Sequence, residues 1–89
     1  MANEIIQWLA EKMGREEELF PPFDETDMVL RRRLTKKEYK ALKGLAMGLD
    51  MESIGREIKV DEERLERIVE SISGKLAGGS VEKELFGTL

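Results

Sequence analysis

From Leu34 to Leu76 the apolar residues recur at three- and four-residue steps in three short runs, each preceded by a helix-capping side chain. This spacing predicts three short amphipathic helices joined by tight turns. Thr35-Lys36-Lys37-Glu38 reads as a capping box, in which the Thr hydroxyl accepts the Glu38 N–H and the Glu carboxylate reaches back. Leu34 stands just before the cap, where a hydrophobic staple belongs, and Tyr39, Leu42, Leu45 and Ala46 continue the buried stripe. Gly48 is placed to end this helix in the left-handed conformation. Gly44 inside it costs roughly 1 kcal/mol against alanine, a cost most simply explained by close helix packing. Asp50 caps a second helix, MESIGREI, with Met51, Ile54 and Ile58 inward, and Lys59-Val60 makes the turn. Asp61 caps the third, whose inner face holds Leu65, Ile68 or Val69, Ile72 and Leu76. Gly78-Gly79 stops it, and Ser80 begins a last short helix, VEKELF.

Upstream, Asn3 is placed to cap a helix carrying Ile5, Ile6, Trp8, Leu9 and Met13, with Gly14 at its end. REEELF could extend that helix by a turn. Pro21 and Pro22 are expected to break any helix and leave PPFDETD as an extended connector, with Leu19, Phe20 and Phe23 pinning it down. The Ile5–Met13 stripe needs a surface to cover, whether core, dimer partner or a docking site for a regulator. The expected organisation is all-α, with an N-terminal helix and connector arm over residues 1–33 and a small helical bundle over 34–89.

Eighty-nine residues have room for one small core. No apolar run approaches the roughly 18–20 residues of a membrane span, and the N-terminal MANEIIQWLAEK is acidic where a leader would be basic. A cytoplasmic location is the expectation. The absence of Cys and His removes disulfides, thiolate metal sites and the usual neutral-pH acid–base group, so neither an enzyme nor a metal or cofactor is expected. The net charge of −4 argues against a generic nucleic-acid coat, but the charge is segregated. Residues 1–27 set Lys12 and Arg15 against eight carboxylates, and residues 28–45 set seven cations against Glu38 alone. Residues 46–89 set six cations against ten carboxylates. A basic block thus lies between acidic flanks, suited either to a partner or to internal pairing.

Leu34-Thr35, Glu38, Leu42, Leu45-Ala46, Gly48-Leu49, Ile54, Ile58, Val60, Leu65, Ile72, Lys75-Leu76, Val81 and Glu84-Leu85 together resemble the LuxR/GerE-type helix-turn-helix family. More distantly they resemble the last DNA-binding region of sigma factors. The resemblance spans most of residues 34–85 and implies a DNA-binding transcription-control module with the helix 61–76 in the major groove. It implies further that Lys59, Arg64, Arg67, Ser71 and Lys75 meet duplex DNA, and that the final short helix forms a homodimer through Val81, Leu85 and Phe86. Two departures stand out. Glu63, Glu66 and Glu70 are acidic at positions that the resemblance turns toward DNA, and Lys59 stands where a turn glycine is frequent. One Glu can accept from a cytosine amine, but three oppose a phosphate-lined groove.

The basic strip offers Lys36, Lys37 and Lys40 as phosphate contacts, beside Arg31, Arg32, Arg33 and Lys43. The same strip suits a plain solvated face or an acidic protein segment, including the chain's own N-terminal arm, within the molecule or across a dimer. Arg64 and Arg67 share a helix face and either reach phosphate or guanine, or pair with Glu63, Glu66 and Glu70. Lys75 is favoured at a helix C-terminus whatever it binds. The leading expectation is double-stranded DNA binding. Its alternative is a protein-interaction module docking through the strip 31–43 or the N-terminal helix, or an inhibitor whose acidic surface mimics DNA.

Overall fold

The first helix begins where its cap is legible: the Asn3 side chain accepts the N–H groups of Ile5 and Ile6. In the computed structural model, which describes residues 3–87, the chain forms α1 (Glu4–Met13), a single 3-10 turn (Glu17–Leu19), α2 (Phe23–Arg33), α3 (Lys36–Ala46), α4 (Met51–Ile58), α5 (Glu62–Ala77) and α6 (Ser80–Phe86). The described residues form an all-α globule without strands.

Most ends are set by one local device. α1, α3 and α4 each stop at a left-handed residue, Gly14, Gly48 and Lys59. The N–H two residues past each last turn bonds back across it: Arg15 to the Ala10 carbonyl, Leu49 to Gly44, Val60 to Gly55. This wrapped ending satisfies carbonyls that the helix leaves open. Lys59 is the only non-glycine with positive φ among the described residues, at φ 60° and ψ 51°. The turn therefore keeps the geometry that glycine serves, and a lysine bears the steric cost.

One element departs from expectation. Residues 23–33 form helix α2, where PPFDETD was expected to be an extended connector. Pro22 lies outside the helix at φ −52° and ψ 152°, and its carbonyl accepts the N–H groups of Glu25 and Thr26. A proline just ahead of a helix forfeits no intrahelical bond, so here it starts the helix. Asp24 and Glu25 in the first turn and Arg31–Arg33 in the last match the helix dipole. Thr26, Val29 and Leu30 face inward.

The core is shared by all six helices. Ile5, Leu9 and Ala10 of α1 and Val29 and Leu30 of α2 join Ala41, Leu42, Ile54, Ile58, Leu65, Ile72, Leu76, Val81 and Leu85 in one cluster. α3 is the hub, packed against α1, α2, α4 and α5. Its Gly44 permits the crossing with α4: a Cβ there would lie 2.7 Å from the Ile54 Cγ1, in a side chain that is itself buried. On α5 it is Ile68 that is buried, while Val69 is only partly covered.

α6 also corrects an expectation. Val81 and Leu85 are 1% and 7% exposed, turned into the core of their own chain between α2 and α5. Phe86 meets Phe20 edge to face, with ring centroids 4.9 Å apart. Val81 and Leu85, expected at a subunit contact, are thus covered inside the chain by α2 and α5, while Phe86, expected there too, is half-buried against Phe20.

Candidate nucleic-acid interface

The capping box does more than start α3. Glu38 Oε1 accepts the Thr35 N–H at 2.9 Å and the Lys75 ammonium at 2.6 Å, while Oε2 accepts the Ser71 hydroxyl at 2.5 Å. Burial alone would raise this carboxyl. Lys75, Ser71 and the Thr35 N–H outweigh it and hold Glu38 below the ordinary carboxylate range. Ser71 and Lys75, which the resemblance turns toward DNA, are therefore engaged inside the molecule. They lock α5 against the start of α3.

That lock sets the two elements side by side and leaves a furrow between them. Its upper part is lined by Lys37, Lys59, Val60, Asp61, Glu63, Arg64 and Arg67. Its lower part shares Lys37, Arg64 and Arg67 and adds Thr35, Lys36, Glu38, Ile68 and Ser71. Five cations from α3, the α4–α5 turn and α5 thus converge on one surface. Its three carboxylates are all committed: Asp61 caps the Arg64 N–H at 2.8 Å, Glu63 holds Arg67 at 3.1 Å, and Glu38 holds Lys75. Lys40, although exposed, is not among the lining residues.

The rest of the basic block goes elsewhere. Arg31 pairs with Asp27 at 2.8 Å and lies over the Tyr39 ring. Arg32 and Arg33 both grip Glu84 of α6, the first at 2.6 Å. The Arg33 guanidinium beside it holds the Glu84 carboxyl below its usual range. The Tyr39 hydroxyl donates to Asp27. Burial would raise that carboxyl, but Tyr39 and Arg31 outweigh it and hold Asp27 low. Of the seven arginines, Arg15, Arg31, Arg32, Arg33, Arg56 and Arg67 have a carboxylate partner within 4.0 Å; Arg64 has none among the described residues. Nor do Lys36, Lys37 or Lys59.

α5 itself is divided by its own geometry. At 100° per residue, Arg64, Arg67 and Ser71 share the flank toward α3, while Glu66 lies about 200° from Arg64. Glu63 and Glu70 occupy the outermost ridge, and Glu62 lines a separate depression with Met51, Glu52 and Arg56. The three acids that seemed to oppose DNA are thus not equivalent, and only Glu63 borders the furrow.

Sequence reading named Lys36, Lys37, Lys59, Arg64 and Arg67 from separate segments, and the fold brings all five together. The Glu38 cluster was not anticipated beyond its cap. The only available signal was Ser71 and Lys75, four residues apart and so on one face of α5. Among the described residues no acidic or other ligating cluster could hold a metal ion, and no helix is long and apolar enough to cross a membrane. No family model, no curated protein and no solved structure matches this chain.

Proposed function

We propose that the chain is a non-catalytic duplex-DNA-binding module for transcription control, of the LuxR/GerE helix-turn-helix kind. In this reading α4 and α5 form the motif and α3 supports it. The phosphate backbone lies along the furrow, and α5 enters the major groove by its Arg64–Arg67 flank. The observation that carries the reading is that Arg64, the one arginine without a carboxylate partner among the described residues, lines the same furrow as Lys36, Lys37 and Lys59, three of the seven lysines that also lack one. Guanidinium groups engage phosphate or guanine bidentately, and lysines supply point charges. With α5 approached by this flank, Glu66 faces away from the backbone, and of Glu63, Glu66 and Glu70 only Glu63 borders the furrow.

A second reading has one observation in its favour. Glu63 and Glu70 keep the outermost ridge of α5 acidic, which suits an acidic protein segment in the furrow, clear of that ridge. Titration against a random-sequence duplex pool, followed by fluorescence anisotropy, separates the two. Neutralising about four phosphates gives a log–log salt slope near about −3.6. An absence of duplex binding at roughly 50 mM salt would overturn the DNA reading, since such contacts are strongest when counterions are dilute.

A further inference from the structure

The chain carries a second charged surface whose groups have no internal partner. Glu16, Glu17 and Glu18, in and beside the 3-10 turn, and Asp24 and Glu25, in the first turn of α2, are all exposed. Among the described residues none of these five carboxylates has a basic group within 4.0 Å, and residues 16–25 contain no cation to offset them. This acidic ridge runs from the 3-10 turn to the first turn of the eleven-residue helix α2, whose other end leads through Leu34 to Thr35 at the furrow. At 1.5 Å per residue the two surfaces stand about 16 Å apart along α2. Within one molecule the ridge does not meet the furrow.

We propose that the acidic ridge of one molecule seats in the basic furrow of a second copy, and that two copies do so mutually about a two-fold axis. Unpartnered carboxylates then face Lys36, Lys37, Lys59 and Arg64, the furrow cations without a partner. Charge complementarity selects the second copy as occupant, because ridge and furrow carry similar numbers of unpaired opposite charges on the same chain. Mutual pairing fills both surfaces at once, whereas head-to-tail pairing leaves one of each open and propagates. The contact is a self-masking state of the surface assigned to DNA, with carboxylates in the place of phosphates. Its competition with DNA rests on that assignment; the self-contact does not. Because the pairs are solvent-exposed, the dimer dissolves as salt shortens the Debye length from about 10 Å at 0.1 M to about 3 Å at 1 M. The net charge of −4 per chain opposes non-specific association, so only the complementary orientation is attractive.

The test is a charge-swap complementation by sedimentation velocity on the full chain. One variant reverses the ridge (Glu16→Lys, Glu17→Lys, Glu18→Lys) and the other reverses the furrow (Lys37→Glu, Lys59→Glu, Arg64→Glu). All six side chains are exposed and free of internal ion pairs, and circular dichroism verifies folding. Wild type is expected to dimerise at low salt and dissociate near about 1 M salt. Each variant alone stays monomeric, and an equal mixture forms a heterodimer. Addition of a duplex converts the wild-type dimer into one-to-one protein–DNA complexes. Wild type that is monomeric at low salt, a single variant that still dimerises, or a mixture that stays monomeric would overturn the proposal. So would a duplex bound by an intact dimer. If the mixture pairs but no duplex binds, the self-contact stands and the DNA reading falls. If a duplex binds and the mixture does not pair, the reverse holds.

Discussion

The last turn of α2 and the first turn of α3 are neighbours in the chain and both carry clustered cations, yet they serve opposite ends. Arg31, Arg32 and Arg33 are taken up by Asp27 and Glu84, the latter about fifty residues away on α6. Lys36 and Lys37, only three residues further on, have no carboxylate within reach and open onto the furrow with Lys59 and Arg64. The break between them is Leu34, extended at φ −108° and ψ 149°, which redirects the chain from one face to another. A run of positive charge in a sequence is therefore not a positive surface. It becomes one only where the fold brings no acid to meet it.

The largest expected effect tests that division directly. Lys37→Glu with Arg64→Glu should lower duplex affinity about 100-fold at 0.1 M salt, equivalent to roughly 2.7 kcal/mol. Arg32→Ala with Arg33→Ala should change it less than about threefold, because those groups are not at the phosphates. Equal losses from the two pairs, measured by anisotropy, would erase the distinction between the regions.

A smaller effect concerns the Glu38 contacts that join α5 to the start of α3. Glu38→Ala removes the cap partner and the acceptor for both Ser71 and Lys75, and should cost about 2 kcal/mol in urea denaturation at pH 7. The folded carboxyl lies below its ordinary value of 4.5, so its contribution is present above that pH and is lost as pH falls through the lower folded value. Wild type and variant should therefore converge in stability in acid. A gap that persists unchanged below the folded titration would show that the carboxylate charge is not what stabilises this corner.

The smallest effect separates folding from binding at one residue. Lys59 bears a left-handed backbone conformation that glycine accepts freely. Lys59→Gly should raise stability by about 0.5–1 kcal/mol, the steric relief being partly offset by the freer unfolded chain. It should also weaken duplex binding a few-fold, as expected when one phosphate contact is lost. Thermal melting and the salt slope read the two effects separately. A stabilised variant with undiminished affinity would remove Lys59 from the interface.

Much of this was written in local signals. Asn3, Thr35 with Glu38, Asp50 and Asp61 cap the helices that they were expected to cap, and Gly14 and Gly48 end theirs. The steric room at Gly44 is present as a close approach to Ile54. The signal misread was the Pro21-Pro22 pair. Its breaking effect suggests an extended connector, yet the acid-to-base polarity of DETDMVLRRR is a helix signature in its own right. The subunit contact at Val81 and Leu85 was implied by the resemblance alone, and the fold covers both residues with α2 and α5 of the same chain.

The sequence by itself determined where most helices begin and end and which of their faces are apolar. Those outcomes depend on bonds reaching three or four residues and on a fixed helical period. Tertiary structure decided which charges remain unspent. The pairings Arg32–Glu84 and Glu38–Lys75 join residues 52 and 37 positions apart, and no local pattern records which carboxylate will arrive beside which cation. The basic block and the acidic α5 were both visible from the start. Only packing showed that the three arginines of the block are neutralised, and that one flank of α5 adds to what remains.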